Sequence, residues 1–443
     1  MSIALSSANT PSENSIPATV ATAKKSTARA WLVVISASLF FFYEFMQMTV
    51  FNSISGDLMQ TFNITAAQFG ALSAGYFYAN VIFLFPAGIA LDRFSTRRLI
   101  ITGLSICTLA TIGMACSPYY GLAMLFRFLI GLSSTLCFLS AARLASRWFP
   151  TERLAFVIGV IVTMAMLGGF VAQTPMTFLV SHIGWRAALL TDAVLGVVFL
   201  GIIIKNVYDF PPDYKAQHVE NLRELTALGF WPSIGKALRN IQNWLAGLYT
   251  SLLNLPIFII GSSFGSLYLQ QVHHYSKTTA SFCSSMIFLG TIVGSPVLGG
   301  LSDRIGRRCQ PMIIAAIISL VLMVLLMQLN QPDALLMGLL IFLLGFFTSA
   351  QIIGYPLIAE SNPRALTSTS IGVGSVLIMG GGAVFEPLFG YLLNLHWDHA
   401  MVNGVAQYSA KDFNLALLIL PITMVVGILA ACLAKETYCR VRK

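Results

Sequence analysis

Four charged side chains sit inside otherwise apolar stretches of this chain: Glu44, Arg127, Asp192 and Glu386. A charge at the middle of a membrane-spanning helix costs about 2.5–3.5 kcal/mol on insertion scales, so each is a candidate functional group by default. Arg127 stays protonated at any relevant pH and can grip a carboxylate with two parallel hydrogen bonds. Glu44 or Glu386 can hold an ammonium group, or carry a proton by cycling between neutral and ionised forms. Glu44 and Arg127 can also form a plain ion pair that holds two helices together. Polar residues at helical spacing extend the set: Glu44 with Gln47, Tyr76 with Asn80, and Gln173, Asn254, Gln351 and Tyr355 at comparable depth. Each of these is also a residue type that commonly bonds one helix to the next. His273 and His274 are expected in a solvated loop.

The elements that position these residues follow from composition. Of 443 residues, 56% are apolar and 10% charged, against about 25% charged in a soluble domain. Runs of about 20 apolar residues, enough to cross the hydrocarbon core, recur along the chain. Twelve spans are expected, near 31–52, 69–91, 98–116, 119–142, 154–180, 186–205, 243–271, 278–301, 310–328, 333–358, 366–394 and 412–435. With these boundaries Glu44, Arg127 and Glu386 share one layer, about 12 Å below the outer interface. Gly168-Gly169, Asn254 with Pro256, Gly290, Gly294, Gly354 with Pro356, and Gly380-Gly381-Gly382 mark close helix approach or bending.

The domain reading is a disordered cytoplasmic tail over 1–30, a first six-helix bundle over 31–205, a linker over 206–242, a second bundle over 243–435 and a short tail over 436–443. The linker carries a surface helix near 218–229. All but four of the 26 Lys and Arg fall in the tails and on one set of loops, the exceptions being Arg127, Arg186, Lys277 and Lys411. That bias places both termini in the cytoplasm. The net charge of +9 is therefore an orientation signal and not a nucleic-acid footprint. The seven cysteines form no CxxC pair or Cys/His cluster, so no metal, cofactor or structural disulfide is expected. No Walker loop and no nucleophile triad appears, which speaks against an ATP-driven pump or an enzyme.

One motif occurs twice. Gly88-Ile-Ala-Leu-Asp92-Arg93, followed by Arg97 and Arg98, recurs as Gly299-Gly-Leu-Ser-Asp303-Arg304-Ile-Gly-Arg307-Arg308, the two aspartates 211 residues apart. Duplicated halves are common in secondary transporters. The motif, the twelve spans and the central loop resemble the major facilitator superfamily over residues 30–435. The first copy departs from the family pattern, with Ser95 in place of glycine and Thr96 as one added residue. Arg127-Phe-Leu-Ile-Gly131 is similar to a second family motif, and Trp148-Phe-Pro-Thr-Glu152-Arg153 and Gly184-Trp185-Arg186 are similar to loops of its organic-anion and small-metabolite branches. Phe42-Tyr43-Glu44-Phe45 and Gly381-Gly382-Ala-Val-Phe-Glu386-Pro387 resemble a bacterial branch related to lysosomal dipeptide carriers.

The resemblance implies an all-α membrane protein of twelve transmembrane helices in two six-helix bundles. It implies that spans one, four, seven and ten line a central cavity, flanked by two, five, eight and eleven. Glu44, Arg127 and Glu386 then sit on cavity-side spans, while Asp192, on a peripheral span, is structural and bonded to a polar neighbour. The duplicated motif becomes a charge latch in which Asp92 and Arg93 stabilise the outward-facing state. The function expected is secondary transport by alternating access, with a monomer in a bacterial inner membrane and protons and a small molecule as its partners. A layer with both charge signs suits a zwitterion, so proton-coupled uptake of amino acids or short peptides comes first. Organic-anion transport anchored by Arg127 comes second, drug efflux third, and a non-transporting membrane sensor is the reading from another class.

Overall fold

A computed structural model describes residues 27–149, 151–211, 230–362, 367–402 and 405–439, and within these it leaves aside the side chains of 27, 85, 89, 92–93, 151–156, 230–234, 367–369 and 402. The expected surface helix at 218–229 and the tail at 1–26 lie outside the described residues.

Among the described residues, ten helices are long and apolar enough to cross a membrane. One of them, Val157–Asn206, has 50 residues and turns at Gly184 (φ 78°, ψ 159°), a left-handed conformation that glycine adopts without strain. It supplies spans five and six. Ala66–Arg93 is the second span, and the total is twelve.

Spans one, two and three are Thr27–Phe62, Ala66–Arg93 and Thr96–Cys116. Span four is Tyr120–Ser134 continued by Cys137–Trp148. Span five begins with Thr151–Val171 and ends at the Gly184 turn in Thr174–Asn206, whose remainder is span six. Span seven is Ile241–Pro256, a π-helical stretch Ile257–Ser263, and Gly265–Val272. Spans eight and nine are Lys277–Ile305 and Cys309–Gln328. Span ten is Ala334–Thr348, a 3₁₀ stretch Ser349–Ile353 and Gly354–Glu360. Spans eleven and twelve are Thr367–Asn394 and Ala410–Leu417 with Ile419–Leu433. A helix at Phe230–Arg239 precedes span seven, and a two-stranded antiparallel hairpin pairs Met401 with Ala406 between spans eleven and twelve.

Span one runs ten residues past its expected end at 52. Its last turns are polar in composition, yet Ile54, Leu58 and Met59 are buried at helical spacing. Amphipathic packing carries the helix on where mean hydropathy has fallen. It also starts at Thr27, inside the expected tail. Span two begins with a reciprocal capping box between Thr65 and Gln68. Of the flagged positions, two leave α-helical geometry: span seven turns π-helical directly after Pro256, and span ten tightens immediately before Gly354, while Gly290, Gly294 and Gly380–Gly382 lie within continuous α-helix.

Contacts between residues before 207 and residues after 240 gather at one end of the molecule, the end opposite the duplicated motif. There Asp57 pairs with Lys277, Thr177 bonds to Ser281 at 2.7 Å, and the amide of Ala66 donates to the Tyr408 hydroxyl at 2.8 Å. Spans two and eleven touch through small residues: a Cβ on Gly70 would lie 2.7 Å from the Glu386 carbonyl oxygen, and one on Gly390 would lie 2.3 Å from that of Ala66. At the motif end, a Cβ on Gly88, Gly159, Gly299 or Gly372 would meet nothing within 4 Å. Among the described residues the halves are joined at the end opposite the motif.

Candidate functional site

Arg127 is fully buried on span four. Its Nη1 donates to the Gln47 carbonyl at 2.6 Å and its Nη2 to the Met48 carbonyl at 3.2 Å. The guanidinium stacks 3.8 Å from the Phe51 ring centre and 5.1 Å from that of Tyr76. Nε is buried with no partner. Among the described residues no ion pair joins Arg127 to Glu44, Asp192 or Glu386. The plain Glu44–Arg127 tie weighed from sequence is therefore absent from this structure. The cation rests on aromatic faces and backbone dipoles, which lower its burial cost without neutralising it.

The two glutamates are buried in matching surroundings. Glu44 accepts from the Ser133 hydroxyl at 2.5 Å, and Glu386 from the Ser263 hydroxyl at 2.7 Å. Oε2 of each is buried without a partner. The three charged residues do not share one layer. Ser133 lies six residues past Arg127 on span four, about 9 Å further along the axis, so Glu44 sits deeper. Gly70 of span two lies against the Glu386 backbone, and Gly75 lies beside the Arg127 side chain, so Glu386 sits nearer the joined end. The single layer failed because it counted from an end of span one that was ten residues short.

Gln47 donates to the Asp192 carboxylate, so Asp192 is bonded to a polar neighbour from span one. Asn80 donates to Ser134 at 2.5 Å. Tyr76 flanks Arg127. Gln173 accepts from Asn52 at 2.8 Å and donates to the Gly261 carbonyl at 2.6 Å, bridging spans five and seven. Asn254, Gln351 and Tyr355 are half-buried on spans seven and ten and make no side-chain bond to the Arg127 group. His273 is not solvated as expected: it is buried and bonds the Tyr268 hydroxyl at 3.0 Å. Sequence reasoning missed Ser73, Ser133, Ser263 and Phe51. A hydroxyl or phenyl group in an apolar helix carries no signal until its neighbour is known.

The duplicated motif starts spans three and nine in similar ways. Ser95, the departure from the repeat, caps span three by accepting from the Arg98 amide at 3.2 Å, and it donates to Asp209, which also accepts the Arg97 amide at 2.9 Å. In the second copy Glu436 accepts the amides of Arg308 and Cys309 at 2.7 and 2.8 Å. Arg308 pairs with Asp303 at 2.5 Å and Glu360 at 2.7 Å. Arg97 donates to the Ile204 carbonyl at 2.7 Å, and Arg307 to Gln310 at 3.0 Å. These contacts stay within one half. Arg304 is exposed, and the side chains of Asp92 and Arg93 lie outside the described residues.

A family model described as the Major Facilitator Superfamily matches residues 37–386 and 246–438. The chain belongs to this family. It is a multi-pass membrane protein of the secondary-transporter type. Among relatives of this superfamily chain, the probable galactarate/D-glucarate transporter GudP of Bacillus subtilis is 23% identical over 92% of this chain and 96% of its own length. A probable hexose phosphate transport protein of Chlamydia muridarum is 23% identical over 82% and 86%. A 30% match to the uncharacterized transporter YybO of Bacillus subtilis spans only 36% of each chain. In fold, the chain is similar to a bacterial homolog of the human lysosomal transporter Spinster, solved in an inward-facing and unoccupied conformation, with a TM-score of 0.76 at 16% identity over 92% of this chain and 97% of that one. A D-xylose-proton symporter gives 0.74 at 13% identity over 93% and 99%.

Proposed function

We propose that this superfamily member imports an organic anion together with protons, with Arg127 as the anion anchor and Glu44 and Glu386 as proton carriers. The observation that carries the reading is the state of Arg127, a fully buried guanidinium with no acid paired to it and an unpartnered Nε. A buried cation of this kind calls for an anion, and a carboxylate fits its planar fork. The relatives lend support: galactarate and D-glucarate, hexose phosphate and, in a 24% identical protein of Cupriavidus necator, sulfoacetate all carry negative charge. This reverses the order drawn from sequence, where a zwitterion came first. A zwitterion site needs an acid beside the cation, and both glutamates bond serines instead.

Positive charge on the motif-bearing loops makes that end the cytoplasmic one, with both termini on the cytoplasmic side of a bacterial inner membrane. The joined end then faces outward and the conformation is open to the cytoplasm. The test is flux into proteoliposomes holding a pH-sensitive dye. D-glucarate, sulfoacetate or glucose 6-phosphate should acidify the lumen in an Arg127-dependent way. Acidification by dipeptides or amino acids alone would overturn the anion reading.

A further inference from the structure

Glu386 is held by a hydroxyl chain that starts in the other half of the molecule. Ser263 donates to Glu386 Oε1 at 2.7 Å, and Ser73 and Ser263 have their hydroxyl oxygens 2.9 Å apart. A serine hydroxyl has one hydrogen. With Glu386 ionised that of Ser263 is used on the carboxylate, so Ser73 is then the donor to Ser263. The chain therefore runs Ser73 to Ser263 to Glu386, and it crosses from span two to spans seven and eleven. All three residues are fully buried. The π-helical stretch of span seven carries Ser263, and Gly70, one turn from Ser73, brings span two against the Glu386 backbone.

We propose that Ser73 is a positioning residue that ties the proton on Glu386 to the closing of the joined end. The proposal rests on Glu386 as a proton carrier. Spans two and eleven meet at the joined end, so parting that end withdraws Ser73 and closing it returns Ser73. A donor to a carboxylate stabilises its ionised form, and a second donor behind the first polarises it further. The closed end then favours release of the Glu386 proton and the open end its capture. A ligand, here the proton, shifts a two-state equilibrium only through such unequal binding. Among the described residues, the ionisable groups near enough to Glu386 to feel its charge are Arg127 of span four and Tyr78 of span two. Both stand in the same half as Ser73, so opening parts Glu386 from all three and leaves it Ser263 of its own half.

Nitroxide labels at Tyr119→Cys and His396→Cys, exposed residues on opposite halves at the joined end, report its opening by pulsed electron resonance. The protein is in nanodiscs without substrate, with its native exposed cysteines replaced by serine. Moving from about pH 8 to about pH 5 should raise the open-to-closed ratio about tenfold, the response of two states that differ by one unit in proton affinity. In a Glu44→Gln background, which silences the other carrier, Ser73→Ala should remove more than half of that response, Ser73→Thr should restore it, and Glu386→Gln should abolish it. A full pH response in Glu386→Gln would sink the carrier reading and the proposal with it. A response abolished in Glu386→Gln but unchanged in Ser73→Ala would leave the carrier and overturn the role of Ser73. Loss in Ser73→Ala that Ser73→Thr does not restore would make Ser73 a packing residue and also overturn it.

Discussion

Arg127 shows what a single residue type decides. Its guanidinium reaches two backbone carbonyls of span one while lying between two aromatic rings. A lysine presents one compact charge where arginine presents a rigid fork. Arg127→Lys should therefore fold and insert normally yet lose anion flux by more than about tenfold, the loss of one bidentate contact of about 1.5–3 kcal/mol. Flux of D-glucarate beside a thermal unfolding profile checks both halves of that statement. The residue types of the site were legible from sequence, because a charge within an apolar run stands out. Their partners were not. Ser133, Ser263 and Phe51 touch the charged groups across helix boundaries, and no spacing along the chain encodes the register of one helix against another.

At the scale of the element, helix ends matter as much as helix interiors. Glu436 follows the last span by three residues and caps the start of span nine, as Asp209 does for span three. Burial alone would raise the Glu436 pKa, but backbone N–H groups of Arg308, Cys309, Tyr438 and Thr437 outweigh it and hold the carboxyl below its ordinary value. Its contribution is thus fully present above the usual carboxylate range and is lost as the pH falls through the lowered value. Glu436→Gln should destabilise the protein by about 1 kcal/mol at neutral pH, a typical helix-cap loss, and the difference from wild type should shrink in strong acid. Thermal melts of the two proteins at neutral and acid pH measure it. Spans themselves were legible, since apolar length is a property of composition. The ten extra residues of span one were not, because they are held by buried Ile54, Leu58 and Met59 and not by mean hydropathy. That one misread end displaced Glu44 from the layer assigned to it.

For the whole molecule, the question is what holds the joined end together. The Asp57–Lys277 pair is partly exposed, with both side chains at 30%, and such pairs are worth about 0–1 kcal/mol. Lys277→Ala should open that end only a few-fold, Asp57→Ala about equally, and the double variant little more. The same labelled pair of positions 119 and 396 reads this out, and added salt should mimic the variants. The backbone-close packing of spans two and eleven is the larger barrier. Gly70→Leu should push span two off the Glu386 carbonyl and favour the opposite conformation by more than about tenfold, as overpacking costs about 1–3 kcal/mol. The unpaired state of Arg127 has one more effect at this scale. Alternation passes through an occluded form in which that cation is sealed from water on both sides. With a bound anion, or with the protons of Glu44 and Glu386 released, the sealed site is neutral enough to form; with protons aboard and no anion it is not. The carrier holding protons alone therefore resists cycling while the fully unloaded one returns, and the residue that grips cargo also keeps the proton gradient from leaking through the protein.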